Sequence, residues 1–161
     1  MNNLNSVLDI SRYVINYSNA KGYGCSNFKL QKILYFIQAF FLISKEQKPC
    51  FSEKIEAWNI GPVVPVAYKE FKQYGSADIP SIKTYIFMNN DNIWDSEIKV
   101  FNEDIISTSQ KLMINAVVDM FKEYSATEMM NLTCAQLPWR NAYNPYRNEE
   151  ITINAIYEYY K

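Results

Sequence analysis

Residues 26–43 read SNFKLQKILYFIQAFFLI; EAWNIGPVVP follows at residues 56–65 and YKEFKQYG at residues 68–75. The first segment carries large apolar residues on most sides of a helix, a pattern typical of a helix at the centre of a domain. Ser26 or Asn27 is suited to cap its N-terminus. Because the rest of the chain lacks a segment as apolar, we expect the other elements to pack around this helix.

The second segment predicts a short strand that ends in a rigid corner. Residues 55–60 alternate between apolar and polar side chains, and Gly61-Pro62 follows directly. This alternation favours a strand, while the Gly-Pro pair favours a turn. Pro65 suits the first turn of the next helix, which Gly75 ends.

The flanking sequence predicts further helices and one small antiparallel sheet. Residues 4–20 have the spacing of an amphipathic helix, and residues 82–88 and 98–101 favour two strands. The remaining helix starts, suggested by capping or proline signals, are Ser107 with Gln110, Ser125 with Glu128, the segment 137–139, and Thr152. We therefore expect a mainly α (α+β) fold, a single helical domain over residues 1–161 around a central buried helix, with a small antiparallel strand element.

Composition limits the classes of function. The chain has 161 residues, of which 48% are hydrophobic and 16% aromatic, enough to form a core and to exclude a disordered chain. Its 16 Lys and Arg nearly balance its 17 Asp and Glu, so the chain has no global basic field to attract phosphates, although a local basic patch stays open. This balance argues against nucleic acid as a partner.

Histidine is absent and the three cysteines are widely spaced. The chain therefore lacks the commonest general base and zinc ligand, and no Cys-x-x-Cys pair is present. We expect no cofactor, no metal and no catalytic residue, with reduced thiols in a cytoplasmic protein. Residues 1–5 do not resemble a signal peptide, and the apolar run 33–43 is too short to cross a bilayer, so we expect no membrane association.

An enzymatic alternative rests on acidic pairs. Glu53 with Glu56, or Asp91 with Asp95, have the chemistry for acid–base or metal-assisted work on a nucleic acid or nucleotide. No phosphate-binding glycine loop and no nucleophile elbow accompanies them. The favoured interpretation is that these four acidic residues lie at the surface or in turns and have no catalytic role. A reactive role for a cysteine would need a lowered pKa.

Aromatic residues are the more informative candidates. The chain has 13 tyrosines and three tryptophans, and such residues are enriched at protein interfaces. For each tyrosine the position at the edge of the core is favoured over a binding role. The tryptophans, Trp58 among them, are interpreted first as structural anchors and second as contacts for a partner.

One combination of these segments resembles a known family. Residues 30–36 (LQKILYF), residues 56–58, the corner at residues 61–65 and the aromatic residues within 68–75 look like the Panacea domain, the SocA-like, phage-associated family of antitoxin proteins. A weaker likeness continues through residues 132–139, where Cys134 stands in a position at which the family often has histidine. The resemblance thus covers nearly the whole chain.

The resemblance implies a non-catalytic antitoxin that neutralises a cognate toxin, encoded next to it, by direct contact. Two alternatives remain open: an adaptor that delivers a client protein to an AAA+ protease, and a phage-encoded protein that blocks host defence. The partner-binding surface is expected around the organising segment, at the residues that also carry the family pattern. These candidates are Tyr35, Trp58, Pro62, Tyr68 and Tyr74.

Overall fold

The computed structural model describes residues 4–161. The expectation for the N-terminus therefore lies partly outside the described residues, since residues 1–3 are not among them. The central helix is α2, Asn27–Ile43, and 13 of its 17 residues are buried. Ser26 caps it, because the Ser26 hydroxyl accepts a hydrogen bond from the Lys29 N–H at 3.2 Å. The prediction of a central buried helix is confirmed.

The described residues form six further α-helices, and all of them except α6 pack closely against α2. They are α1 (Val7–Ala20), α3 (Pro65–Phe71), α4 (Thr108–Met120), α5 (Ala126–Cys134), α6 (Leu137–Ala142) and α7 (Ile153–Tyr160). Ser107 and Ser125 each form the expected capping box, and Thr152 caps α7. Helix α1 starts later than residue 4 because Ser6 caps it. The described chain is mainly helical, as predicted; that residues 1–161 form one domain stays a prediction.

A three-stranded antiparallel sheet with strand order β2-β1-β5 packs beside α2 and α5. Its strands are β1 (Ile55–Trp58), β2 (Gly61–Val63) and β5 (Glu149–Ile151). The Gly-Pro corner is thus part of a strand, which differs from the expected turn. Pro62 lies in the edge strand β2, where a residue without an N–H is tolerated.

A separate two-stranded hairpin joins β3 (Thr84–Met88) to β4 (Ser96–Val100). This confirms the small antiparallel sheet expected in this region. Within residues 4–161, no helix combines the length and the apolar character needed to cross a membrane.

Candidate protein-binding surface

Polar side chains of α2 hold the segments on both sides of β1. The Gln31 side-chain oxygen Oε1 accepts a hydrogen bond from the Val64 N–H at 2.9 Å, and Lys32 Nζ donates to the Pro62 carbonyl at 3.1 Å. Farther along the helix, Gln38 Oε1 accepts the Cys50 N–H at 2.8 Å. The first two contacts tie β2 and the residue that follows it to the central helix, and the third ties the loop that precedes β1 to the same helix.

Lys32 is fully buried. Burial lowers the pKa of its ammonium group to about 7, while nearby Cys134 acts in the opposite direction. Its Nζ also lies 4.6 Å from the centre of the Phe28 ring, a cation–π distance. Sequence reasoning missed this residue, because a lysine in a helix is normally interpreted as solvent-exposed.

Two of the five predicted partner-binding residues are buried. Tyr35 has 0% of its surface exposed, and its hydroxyl donates a hydrogen bond to Gln136 Oε1 at 2.7 Å. Burial raises the pKa of Tyr35 above its ordinary value. Pro62 is buried as well. In this conformation neither residue has a surface to offer a partner, so their contribution would be to shape the fold.

Trp58 and Tyr68 come together on the surface. Their rings are 5.1 Å apart in an edge-to-face arrangement, and both side chains are half-buried. The Trp58 carbonyl accepts a hydrogen bond from Trp139 Nε1 at 2.8 Å, and the Trp139 ring stacks on Tyr143 at 4.5 Å. We call these four residues, Trp58, Tyr68, Trp139 and Tyr143, the aromatic surface.

Tyr74 is half-buried and packs against the hydrophobic core from the 3₁₀ turn Lys72–Tyr74. Among the described residues the Tyr74 ring packs against no other aromatic ring. It therefore does not share the ring contact formed by Trp58 and Tyr68. Trp139 and Tyr143 were not among the predicted contacts. The signal available for them was the Pro138-Trp139 pair at the end of the family pattern. The partner-binding role of these residues stays a prediction.

The acidic pairs considered for catalysis have structural contacts. Glu53 Oε2 accepts the Val7 N–H at 2.8 Å, at the start of α1, and Glu56 Oε2 accepts from Trp58 Nε1 at 3.3 Å. A carboxylate at a helix N-terminus is stabilising there. Asp91 and Asp95 are exposed near the turn of the hairpin. Across residues 4–161, no three potential metal-ligating carboxylate or thiol side chains come close enough to hold an ion.

The cysteines have the properties of packed thiols. Cys25 and Cys50 are buried, and Cys134 is half-buried. Burial raises the pKa of Cys25 to about 12 and also raises the pKa of Cys50 and Cys134. A thiol with a raised pKa is a poor nucleophile at neutral pH.

We expect Trp58→Ala to destabilise the protein before it affects binding. The substitution removes the contact with Tyr68, and a half-buried tryptophan would contribute about 2 kcal/mol to the free energy of unfolding. Thermal melting of the purified variant measures the loss. Trp58→Phe, which keeps an aromatic ring, should recover part of it. A variant that melts like the parent and yet does not bind its partner would contradict this structural role.

Comparison with known proteins identifies a family over most of the chain. The family described as "Antitoxin SocA-like, Panacea domain" matches residues 30–140, which run from the first turn of α2 into α6. Antitoxin SocA of Caulobacter vibrioides (strain NA1000 / CB15N) is 46% identical over 50 residues, which make up 31% of this chain and 26% of that protein. The match therefore covers well under two thirds of that relative. No solved structure matches the chain.

Proposed function

This chain belongs to the antitoxin SocA-like, Panacea domain family, and from that membership we propose that it is an antitoxin that neutralises a toxin protein by direct contact. The observation that carries the proposal is the match over residues 30–140, because it includes the central helix, the corner and Trp139. The partner would be a toxin encoded next to this chain.

The aromatic surface supports a mechanism based on contact. Tyrosine and tryptophan are the residues most enriched at energetic centres of protein interfaces, and four of them are adjacent here while keeping part of their surface accessible. The Trp139–Trp58 hydrogen bond and the Lys32–Pro62 hydrogen bond restrain the backbone beneath them. A restrained surface loses little conformational entropy when it binds.

We propose that neutralisation is non-catalytic. The acidic residues with the right chemistry for catalysis, Glu53 and Glu56, are engaged in hydrogen bonds that organise the N-terminus of α1 and the Trp58 side chain. The chain also has no histidine. These features agree with a protein that masks its partner's surface.

Co-expression with the product of the neighbouring gene tests the proposal. The chain should restore growth that this product arrests, and the two purified proteins should form a stable complex. The double substitution Tyr68→Ala with Tyr143→Ala should weaken that complex by about 100-fold, since it removes two of the four side chains of the aromatic surface.

The matched control is Tyr159→Ala, which removes a partly exposed tyrosine of α7. It should leave the affinity unchanged. Circular dichroism and thermal melting must show that the double variant remains folded. Unchanged affinity of a folded double variant would exclude the aromatic surface as the contact, and absence of rescue by the parent chain would contradict the antitoxin role itself. Faster loss of the toxin in the presence of a purified AAA+ protease would contradict masking.

A further inference from the structure

A polar pocket opens beside the aromatic surface. Its volume is about 290 Å³, enough for one side chain of a partner protein. The pocket is continuous with the aromatic surface, because Tyr143 belongs to both and Asn59 directly follows Trp58. We call it the side pocket, and the lining residues that matter here are Asn59, Tyr143, Asn144, Tyr146, Arg147 and Asn148.

The loop that forms most of the side pocket is held in shape by its own contacts. The Tyr146 N–H donates a hydrogen bond to Asn144 Oδ1 at 2.9 Å, and the backbones of Asn144 and Arg147 form an antiparallel bridge. Arg147 Nε contacts the carboxylate of Glu149, which pairs with Ala57 in the three-stranded sheet. The loop is thus attached to the sheet, and a pocket that already has its shape loses little entropy on binding.

The lining offers hydrogen-bond donors and a positive charge. Three of its side chains are asparagine amides, and among the described residues that line the pocket Arg147 alone is charged. The Arg147 side chain is 73% exposed. A guanidinium group carries several N–H donors, so the contact of Nε with Glu149 leaves donors for a second carboxylate. An exposed ion pair of this kind is weak, so Glu149 does not close the pocket to an anion.

A second cation lies beneath the turn that carries Asn59. A Cβ added at Gly61, two residues farther on, would be 3.4 Å from Lys32 Nζ. In the part of the chain that the structure describes, Lys32 forms no ion pair with a carboxylate. Glu56 and Glu149 flank this region without lining the pocket, and each already has a contact, with Trp58 Nε1 and with Arg147. The charge that faces the pocket is therefore positive.

We propose that the side pocket receives a carboxylate side chain of the toxin and that Arg147 binds it. This inference rests on the proposed antitoxin function, since it names the chemistry that the same surface recognises. Arginine forms paired, planar hydrogen bonds with a carboxylate, which fix the orientation of the two groups as well as supplying energy. Tyr146, which is 94% exposed at the rim, would exclude water from the pair.

Binding of the purified product of the neighbouring gene to variants of the full chain tests the proposal. Arg147→Gln should weaken the complex by about tenfold or more, because it leaves the carboxylate without its charged partner. It should also reduce the dependence of the association rate on ionic strength, a readout that a merely structural role would not change. The matched control is Arg140→Gln, at an exposed arginine of α6 that does not line the pocket, which should bind like the parent.

A second variant keeps the proposal testable if the loss of Arg147 disturbs the loop. Asn59→Asp adds a carboxylate to the lining with almost no change of shape, so it should also weaken the complex by about tenfold through like-charge repulsion. The matched control is Asn154→Asp, at an exposed asparagine of α7. On the toxin, one Asp→Asn or Glu→Gln substitution should weaken binding as much as Arg147→Gln does. The same substitution should cost nothing further when it is combined with Arg147→Gln.

The outcomes separate this inference from the proposed function. A complex whose affinity is unchanged by Asn59→Asp, or by Arg147→Gln in a variant that melts like the parent, overturns the carboxylate site and leaves the antitoxin role standing. A complex that Asn59→Asp strengthens shows that the pocket receives a cation, which also overturns the proposal. If the parent chain neither binds the product of the neighbouring gene nor restores growth, the antitoxin role fails and this inference fails with it.

Discussion

Replacing Gly61 by alanine is expected to lower the free energy of unfolding by about 3 kcal/mol. Gly61 has a φ of +98°, a conformation that residues with a side chain rarely adopt. An added Cβ would also lie 3.0 Å from Lys32 Cε and 3.2 Å from Thr133 Oγ1. Both neighbours are buried, so neither has room to move away. Urea denaturation monitored by circular dichroism measures the loss.

Gly22→Ala is the matched control for this prediction. Gly22 also has a positive φ, +75°, but an added Cβ there would meet nothing within 4 Å. Its substitution should therefore cost only the backbone strain, about 1 kcal/mol. Equal losses at the two positions would show that the contact with Lys32 and Thr133 contributes nothing.

The stability of the protein is expected to rise with pH just above neutrality, because Lys32 is buried. Its pKa in the folded chain is about 7, lowered by desolvation from the ordinary value of 10.5. Between these two values the unfolded chain binds more protons than the folded chain, so the free energy of unfolding increases with pH. The slope should approach about 1.4 kcal/mol per pH unit. Below pH 7 the lysine is protonated in both states, and the cost of burying its charge is fully present.

The measurement should cover the range from pH 7 to about 8.5. The chain has no histidine to titrate in this range. At higher pH the thiols act in the opposite direction, since the buried Cys25 has its pKa raised to about 12 and ionises first in the unfolded chain. Denaturant midpoints at several pH values give the slope.

Lys32→Met removes the titrating group while keeping most of the side-chain volume. The variant should show no rise over this range, because it has no group that titrates there. Lys72→Met, at an exposed lysine, should retain the slope of the parent. A parent chain whose stability does not change with pH would contradict a depressed pKa for Lys32.

The local signals in the sequence predicted most of the secondary structure. Ser107, Ser125 and Thr152 are N-caps in the structure, and Pro65 begins α3. Capping and helix periodicity depend on residues three or four positions apart, so both can be recognised from a single amino-acid sequence. The hairpin of β3 and β4 was found for a related reason, since its strands are close in sequence.

The pairing of strands that are distant in the sequence could not be predicted from such local signals. Strand β5 has only three residues, two of them glutamate, and it is a strand because β1 lies beside it. Strand β2 contains a proline and pairs with β1 at the sheet edge. Such pairings join residues far apart in sequence. A strand of three residues has too few alternating apolar and polar side chains to be recognised, or to be assigned a partner strand, from the sequence.

The sequence by itself determined the family, the mainly helical class and the identity of the central helix, because these follow from residue spacing and from a motif within one stretch of chain. Only the tertiary structure decided which motif residues face solvent. It placed Tyr35 and Lys32 in the interior, and it brought Trp139 to Trp58 across 81 residues of chain. The physical reason is that burial depends on which segments surround a side chain, and α2 is surrounded mainly by five other helices and by strand β2, which come from all along the chain.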